Sequence, residues 1–375
     1  MTASLPSQYA GSMGAKSRKW LVILAIVAVA GYLLYRSRHM LNFAGFSGEK
    51  LWDALRGAHL SYLLLSVFLI YVCYFLRALR WRGLQKNVGP SPLWSIYAMT
   101  LAGFSAVFLL GRPGEPVRPL LLSRKNKIPL ADTFGIYALE RLLDTTSAAV
   151  FAVIGLMILS ARHANHSGET SAAETAAKTG ATVLCLGVLF AIAVLIYFRL
   201  HGAALLERRL QSWLNAHGWR AIIARIVLGL VRGVHVIRTW TDLFFAVFYS
   251  AIHWLLVAVI YYLIPLAFSG PLADLTFKDA IIVFVFTLVG SVVQLPGVGG
   301  GSQALAILAY TSVFGIEKEP AVAIAMVIWL ITFASCAFAG VPILIKEGLS
   351  LGELRSMRAH EGEELDAEMS ANHPS

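Results

Sequence analysis

Two long apolar stretches of this chain are cut mid-way by residues that a membrane helix avoids. Residues 93–122 are broken by Gly111-Arg112-Pro113-Gly114-Glu115-Pro116-Val117-Arg118-Pro119. Residues 280–314 are broken by Leu295-Pro296-Gly297-Val298-Gly299-Gly300-Gly301-Ser302-Gln303. Proline removes a backbone donor and clashes with the preceding turn. Lipid cannot hydrogen-bond the groups this frees, so irregular backbone at membrane depth survives only inside protein or beside a water-filled cavity. One such break in each half of a chain is the pattern of a transporter-like site between two repeats.

Composition places these breaks in a bilayer rather than in a soluble core. The chain is 58% hydrophobic and 14% charged, with a mean hydropathy of +0.69, against roughly 25% charged residues in soluble domains. Six further stretches approach the ~20 apolar residues that a crossing requires: 20–35, 60–76, 137–159, 180–198, 243–264 and 320–343. The expected fold class is therefore an all-α polytopic membrane protein of about six spanning helices plus two re-entrant helical hairpins. The basic N-terminal run followed by 20–35 is read as a first crossing, because no small-residue cleavage site follows it.

The net charge of +10 fits Lys- and Arg-rich cytoplasmic loops, and nucleic-acid binding is not expected. With the N-terminus inside and both broken stretches re-entrant, most basic residues fall on one side, around 16–19, 77–86, 118–127, 199–238 and 346–358. The first hairpin then enters from the cytoplasm and the second from outside, as in an inverted repeat, so the two breaks approach the midplane from opposite faces. The alternative makes 111–119 an ordinary loop between two full crossings and flips every later element. Residues 1–19 form a cytoplasmic tail, 20–345 the integral membrane domain, and 346–375 an acidic tail expected to be disordered. Within the domain, 200–242 mixes tryptophan and aliphatic residues with arginine at helical spacing, which suggests amphipathic helices on the inner surface or a cytoplasmic helical hairpin packed on protein. These features point to a bacterial inner membrane with both termini cytoplasmic.

Three clusters carry candidate chemistry. Arg112, Glu115 and Arg118 stand in the first break, where an unpaired charge at the bilayer centre costs about 2.5–3.5 kcal/mol on insertion scales. The two arginines suit a bidentate grip on phosphate, and Glu115 suits an arginine or a cationic head group. Glu140, Arg141 and Asp144 follow at the expected cytoplasmic start of the third crossing. Residues 140 and 144 share a helix face, placed to pair with Arg112 or Arg118 and fix the hairpin tip. In the second break, Gly297, Gly299, Gly300 and Gly301 allow close backbone approach, and the helix after them, starting near Gln303, would point N–H groups at an anion. A glycine-rich hinge without a ligand is the alternative there. His253 reads as a packed membrane histidine, and Cys73, Cys185 and Cys336 as packing residues. No metal constellation, nucleophile elbow or dinucleotide fingerprint is visible, so no cofactor and no covalent catalysis are expected.

At these residues the chain resembles the lysylphosphatidylglycerol synthase transmembrane-region family, also described as flippase-like membrane proteins. The resemblance covers about residues 60–345. It rests on Arg77-x-x-Arg80-Trp81, on Arg112-Pro113-Gly114-Glu115-x-x-Arg118 followed by Glu140-Arg141-x-x-Asp144, and on the proline–glycine stretch. Two departures stand out. The family's glycine-rich motif commonly ends in an acid, where this chain has Gln303. Members that make aminoacyl-lipids carry a soluble transferase domain after the membrane part, so the resemblance implies the lipid-handling module without the synthase. Taken together with the clusters above, the expected function is a lipid translocase or lipid-binding transporter for an anionic phospholipid or lipid-linked intermediate, gripped by Arg112 and Arg118. Glu115, Glu140 and Asp144 would hold those arginines, the second hairpin would close the cavity, and access would alternate by rocking of the halves. A non-transporting subunit presenting lipid to a glycosyl- or acyltransferase is the other reading. Membrane lipids are the expected partners; a lipid-modifying enzyme and a homo-oligomer stay open.

Overall fold

Charge, proline and glycine set where each apolar stretch starts and stops as a helix. The computed structural model describes residues 56–167, 186–187, 193, 236–291, 294–295 and 299–347. In chain order these form α1 (Leu60–Gln85), α2 (Leu93–Leu110), a 3-10 turn (Arg112–Gly114), α3 (Val117–Asn126), α4 (Leu130–Ser167), α5 (Trp240–Leu266) and α6 (Phe277–Gly290). A two-residue antiparallel strand pair follows, Gln294–Leu295 with Gly299–Gly300, then α7 (Gly301–Leu308), α8 (Lys318–Trp329) and α9 (Ser335–Lys346). π-helical turns extend α7 (Ala309–Val313) and join α8 to α9 (Leu330–Ala334). The protein is an all-α polytopic membrane protein. Five described helices are long and apolar enough to cross a bilayer: α1, α2, Asp132–Arg162 of α4, α5 and Lys318–Lys346. The expected crossings at 20–35 and 180–198, the segment 200–235 and the tail from 348 lie outside the described residues, save for Leu186, Gly187 and Ala193.

Contacts at the helix ends fix the direction of every element. The His59 N–H donates to the Ala267 carbonyl at 2.7 Å, so α1 begins where α5 ends. Lys86 pairs with Asp242 at 2.9 Å and Asn87 donates to the Val236 carbonyl at 2.8 Å, so α1 ends where α5 begins. The two helices are antiparallel and define two faces: a first face at residues 86 and 242, and a second face at residues 59 and 267.

The first broken stretch leaves the first face and returns to it. Ser95, near the start of α2, hydrogen-bonds Asn126, at the end of α3, at 3.1 Å. Midway, a Cβ on Gly103 would collide with the Arg118 side chain, and one on Gly114 would fall on the Ala106 carbonyl. Glycine is what lets α3 lie against α2 at this depth. This is the expected hairpin, although α2 alone is long enough to cross.

The second broken stretch does the same from the second face. Arg162, near the end of the crossing part of α4, pairs with Asp279 at the start of α6 at 2.6 Å and lies 5.0 Å from the ring of Phe314, just past the end of the outgoing arm. At the far end a Cβ on Gly290 would meet the Gly301 carbonyl, so α6 and α7 touch at the tip. The tips of the two hairpins meet: Arg112 Nη2 donates to the Ser291 carbonyl at 3.0 Å. At 1.5 Å per residue α2 is ~27 Å long and α6 ~21 Å. Placed tip to tip, these arms add to ~48 Å, a little more than the ~40–45 Å that includes the headgroup layers, so they fit with a tilt.

The order span, hairpin, span thus occurs twice in opposite orientation, α1–α2/α3–α4 and α5–α6/α7–α8/α9. Each hairpin leans on the closing span of the other half. Gly340 of α9 fits against Leu101 and Ser105 of α2, and Gly155 of α4 fits against Val285 of α6. The core follows this interleaving: Cys73, Tyr74 and Leu101 of the first half share one buried cluster with Trp254, Tyr261, Phe284 and Tyr310 of the second. The π-helical turn in the last span leaves backbone carbonyls to satisfy. Tyr71 donates to the Ser335 carbonyl at 2.8 Å and Tyr74 to the Thr332 carbonyl at 3.4 Å, both from α1.

Replacing Gly340 with leucine overpacks the α2–α9 contact, where a side chain has no room. The expected loss is about 1–3 kcal/mol, read as a lower unfolding temperature in detergent. Gly83, with nothing within 4 Å of an added Cβ, tolerates leucine in the same assay.

Candidate functional site

Arginine, carboxylate and aromatic side chains converge where α1, α3, α4 and α5 meet beside the first hairpin. α1 is a helix to Gln85, nine residues past the expected end at 76, and this extension carries Arg77 and Arg80 inward. Both were expected among the cytoplasmic basic residues; they are buried, at 9% and 2% exposure. α4 starts at Leu130, so Glu140 and Asp144 stand ten or more residues inside it rather than at its cytoplasmic start. They are one turn apart and share a face, as their spacing requires.

Each carboxylate is shared by three arginines. Asp144 takes Arg77 at 2.7 Å, Arg80 at 2.9 Å and Arg141 at 3.0 Å. Glu140 takes Arg80 at 2.6 Å, Arg77 at 3.4 Å and a close pair with Arg118. Arg80 also donates to Ser250 Oγ of α5 at 2.7 Å. Aromatic faces cover the remaining guanidinium surface. Arg118 sits 4.6 Å from the ring of Trp81, Arg77 5.2 Å from Phe104, and Arg141 5.3 Å from Tyr137. Such contacts stabilise a desolvated cation by about 0.5–2 kcal/mol.

The cluster is short of acceptors. A guanidinium has five N–H donors, while a carboxylate offers about four lone-pair sites. Four arginines therefore compete for two carboxylates, and Arg80 Nε and Arg141 Nε are buried without a hydrogen-bond acceptor among the described residues. Arg118 and Arg141 line a small, partly open cleft. Gly103, Phe104, Val107, Glu115 and Tyr137 form the rest of its wall. Arg118 is 3% exposed, and Arg141 reaches further into the opening. An anion entering there would find donors already desolvated and oriented.

Other expected site residues lie elsewhere. Arg112 does not join Arg118: it is half exposed at the hairpin tip, paired with Glu115 at 3.1 Å and bonded to the Ser291 carbonyl. Glu115 faces the cleft and also accepts a short hydrogen bond from the Tyr137 hydroxyl. Gly299, Gly300, Gly301 and Gln303 are at the other hairpin's tip, outside the cleft wall; Gly297 is outside the described residues. The Gly300 N–H that could have faced an anion is accepted by Gln303 Oε1 at 2.5 Å. Gly300 itself has φ 116°, a conformation that favours glycine. His253 is buried beside Cys73, whose thiol donates to the His253 carbonyl at 3.8 Å. Ser250 and the two arginines of α1 are the members sequence reasoning missed. Arg77 and Arg80 had a signal: two arginines a turn apart, continuous with an apolar helix.

The sequence itself matches a known family. The lysylphosphatidylglycerol synthase TM region model matches residues 20–340. The chain belongs to this family. It is also similar to a UPF0104 membrane protein of Methanothermobacter thermautotrophicus, 24% identical over 351 residues, which are 89% of this chain and 96% of that relative. No solved structure matches the chain. Membership places it among membrane proteins linked to lipid metabolism.

Removing one carboxylate leaves buried cations without a counter-charge. Glu140→Gln is expected to destabilise the fold by about 3–5 kcal/mol, measured by unfolding in detergent. Adding Arg118→Gln restores part of the loss, which a double-mutant cycle reads as a coupling between the two positions.

Proposed function

We propose that the protein is a lipid translocase or lipid-binding transporter that receives an anionic lipid head group in the cleft between α2, α3 and α4. The observation that carries this reading is the buried excess of arginine: Arg77, Arg80, Arg118 and Arg141 share Glu140 and Asp144, and two of the four line an opening. Buried charge without full compensation is expensive and marks a ligand path by default. The two opposed hairpins supply the second requirement. They hold irregular backbone away from lipid, and their tips are joined by a hydrogen bond from Arg112 to the Ser291 carbonyl, which would separate the cleft from the second face until it parts.

Basic residues give the orientation. Arg82, Lys86, Arg124, Lys125, Lys127, Arg238 and Lys346 gather at the first face, against Arg56, Arg162, Lys278 and Lys318 at the second. The positive-inside rule puts the first face in the cytoplasm, so the first hairpin, with its cleft, would be entered from that side. Lys125→Cys is expected to react with a membrane-impermeant thiol reagent only after the cell is opened, and Lys278→Cys in intact cells. The reverse pattern would invert the orientation.

The head-group role is tested in proteoliposomes by following a fluorescent phosphatidylglycerol as it becomes accessible to an impermeant quencher. Arg118→Ala and Arg141→Ala should each slow transfer by about tenfold or more, the effect of losing a charge-assisted contact, while Arg124→Ala leaves it unchanged. Equal rates in all the variants would remove the cleft from the path.

A further inference from the structure

Charge bookkeeping in the cleft goes one step beyond the lipid-carrier reading, on which this inference rests. Five guanidiniums, those of Arg77, Arg80, Arg112, Arg118 and Arg141, interlock with three carboxylates, those of Glu115, Glu140 and Asp144, an excess of two positive charges. Among the described residues no other carboxylate forms an ion pair with these arginines. Glu115 stands in the cleft wall as well and is counted in that balance. Its charge is met by Arg112 at 3.1 Å and by the Tyr137 hydroxyl. The cation-rich wall is Arg118 and Arg141, whose guanidiniums also rest on the rings of Trp81 and Tyr137.

We infer that this cleft selects a doubly charged phosphate, a phosphomonoester or diphosphate, over a phosphodiester. A phosphodiester brings one negative charge and leaves the cluster positive. A phosphomonoester carries about −1.5 to −2 near pH 7 and has three acceptor oxygens. That is enough to meet both surplus charges through the two guanidiniums that line the cleft. Screening is weak at this burial, so the second charge is felt strongly. The steric argument runs the same way. The narrow cleft between Gly103, Phe104 and Tyr137 adds no room for a second esterified alcohol beside the phosphate. The same chemistry is found on a lipid and on a free phosphate, and the test separates the two.

The experiment uses the full chain in nanodiscs. Binding of dioleoyl phosphatidic acid is compared with that of dioleoyl phosphatidylmethanol, which differs by one methyl ester and one negative charge. Phosphatidic acid should bind about tenfold tighter or more, the effect of one further charge beside a desolvated guanidinium. Arg141→Gln should bring the two lipids close to parity, and Arg141→Lys should keep the preference. Inorganic phosphate and glycerol 3-phosphate are then added as competitors. No displacement at about a hundredfold excess over the lipid supports a lipid source. Displacement by either assigns the site to a free phosphate and overturns the lipid source. Equal affinity for the two lipids in the parent protein overturns the charge selection and leaves the carrier reading standing. A preference unchanged by Arg141→Gln also overturns it. Binding of neither lipid overturns the carrier reading itself.

Discussion

Two carboxylates one turn apart on α4 hold this architecture together. Glu140 and Asp144 reach Arg77 and Arg80 on α1 and Arg118 on α3, and through Arg80 the network touches Ser250 of α5. Four elements, of which only α3 and α4 are neighbours in sequence, are tied at one point. The arginines can be buried only because the carboxylates are there, and the carboxylates only because the arginines are. Such a network contributes little net stability compared with an apolar core of the same shape. It does dictate one register of α1 against α4, since a shift of either helix would strand a charge. The aromatic faces of Trp81, Phe104 and Tyr137 make the same demand from the other side.

The hairpins then follow from where glycine permits backbone to meet backbone. Gly103 and Gly114 let α3 lie along α2, and Gly290 lets α7 begin beside the end of α6. These contacts replace what lipid cannot supply, a partner for irregular backbone at depth. The tips carry the two breaks in the sequence, and Arg112 spans the gap between them to reach a carbonyl that α6 leaves open at its end. Strand-like pairing of Gln294–Leu295 with Gly299–Gly300 closes the second tip in the same spirit.

Much of this was legible in the residues. Apolar length gave α5 within a few residues of its observed ends, and the Gly–Pro breaks gave both hairpins and their opposition. The shared face of Glu140 and Asp144 followed from a spacing of four. What hydropathy could not give was the continuation of α1 to Gln85 and the start of α4 at Leu130. Arginine lowers a hydropathy window, so Arg77 and Arg80 were read as the edge of the membrane. They stay in the helix because carboxylates from another helix compensate them, and that pairing joins residues some 60 positions apart. Arg112 illustrates the opposite error. Its neighbours in sequence suggested a partner for Arg118, yet the turn at Pro113 and Gly114 sends Arg112 to Ser291 at the tip and Arg118 to Glu140 of α4. Gln303 sits where an acid was expected and is occupied with capping its own helix at Gly300.

The crossed glycine contacts have a mechanical consequence. Gly340 belongs to one half and seats the hairpin of the other, and Gly155 returns the arrangement. Two clasped hands cannot swing apart at the wrist without first unlacing the fingers. A seesaw of one half over the other would have to tear both seats and re-form them elsewhere, against the close packing of protein interiors. Displacement is cheaper at the hairpin ends, where Arg112 is wet and holds a single carbonyl. Any transit through this molecule is thus better described as the parting of two fingertips than as the tilting of two palms.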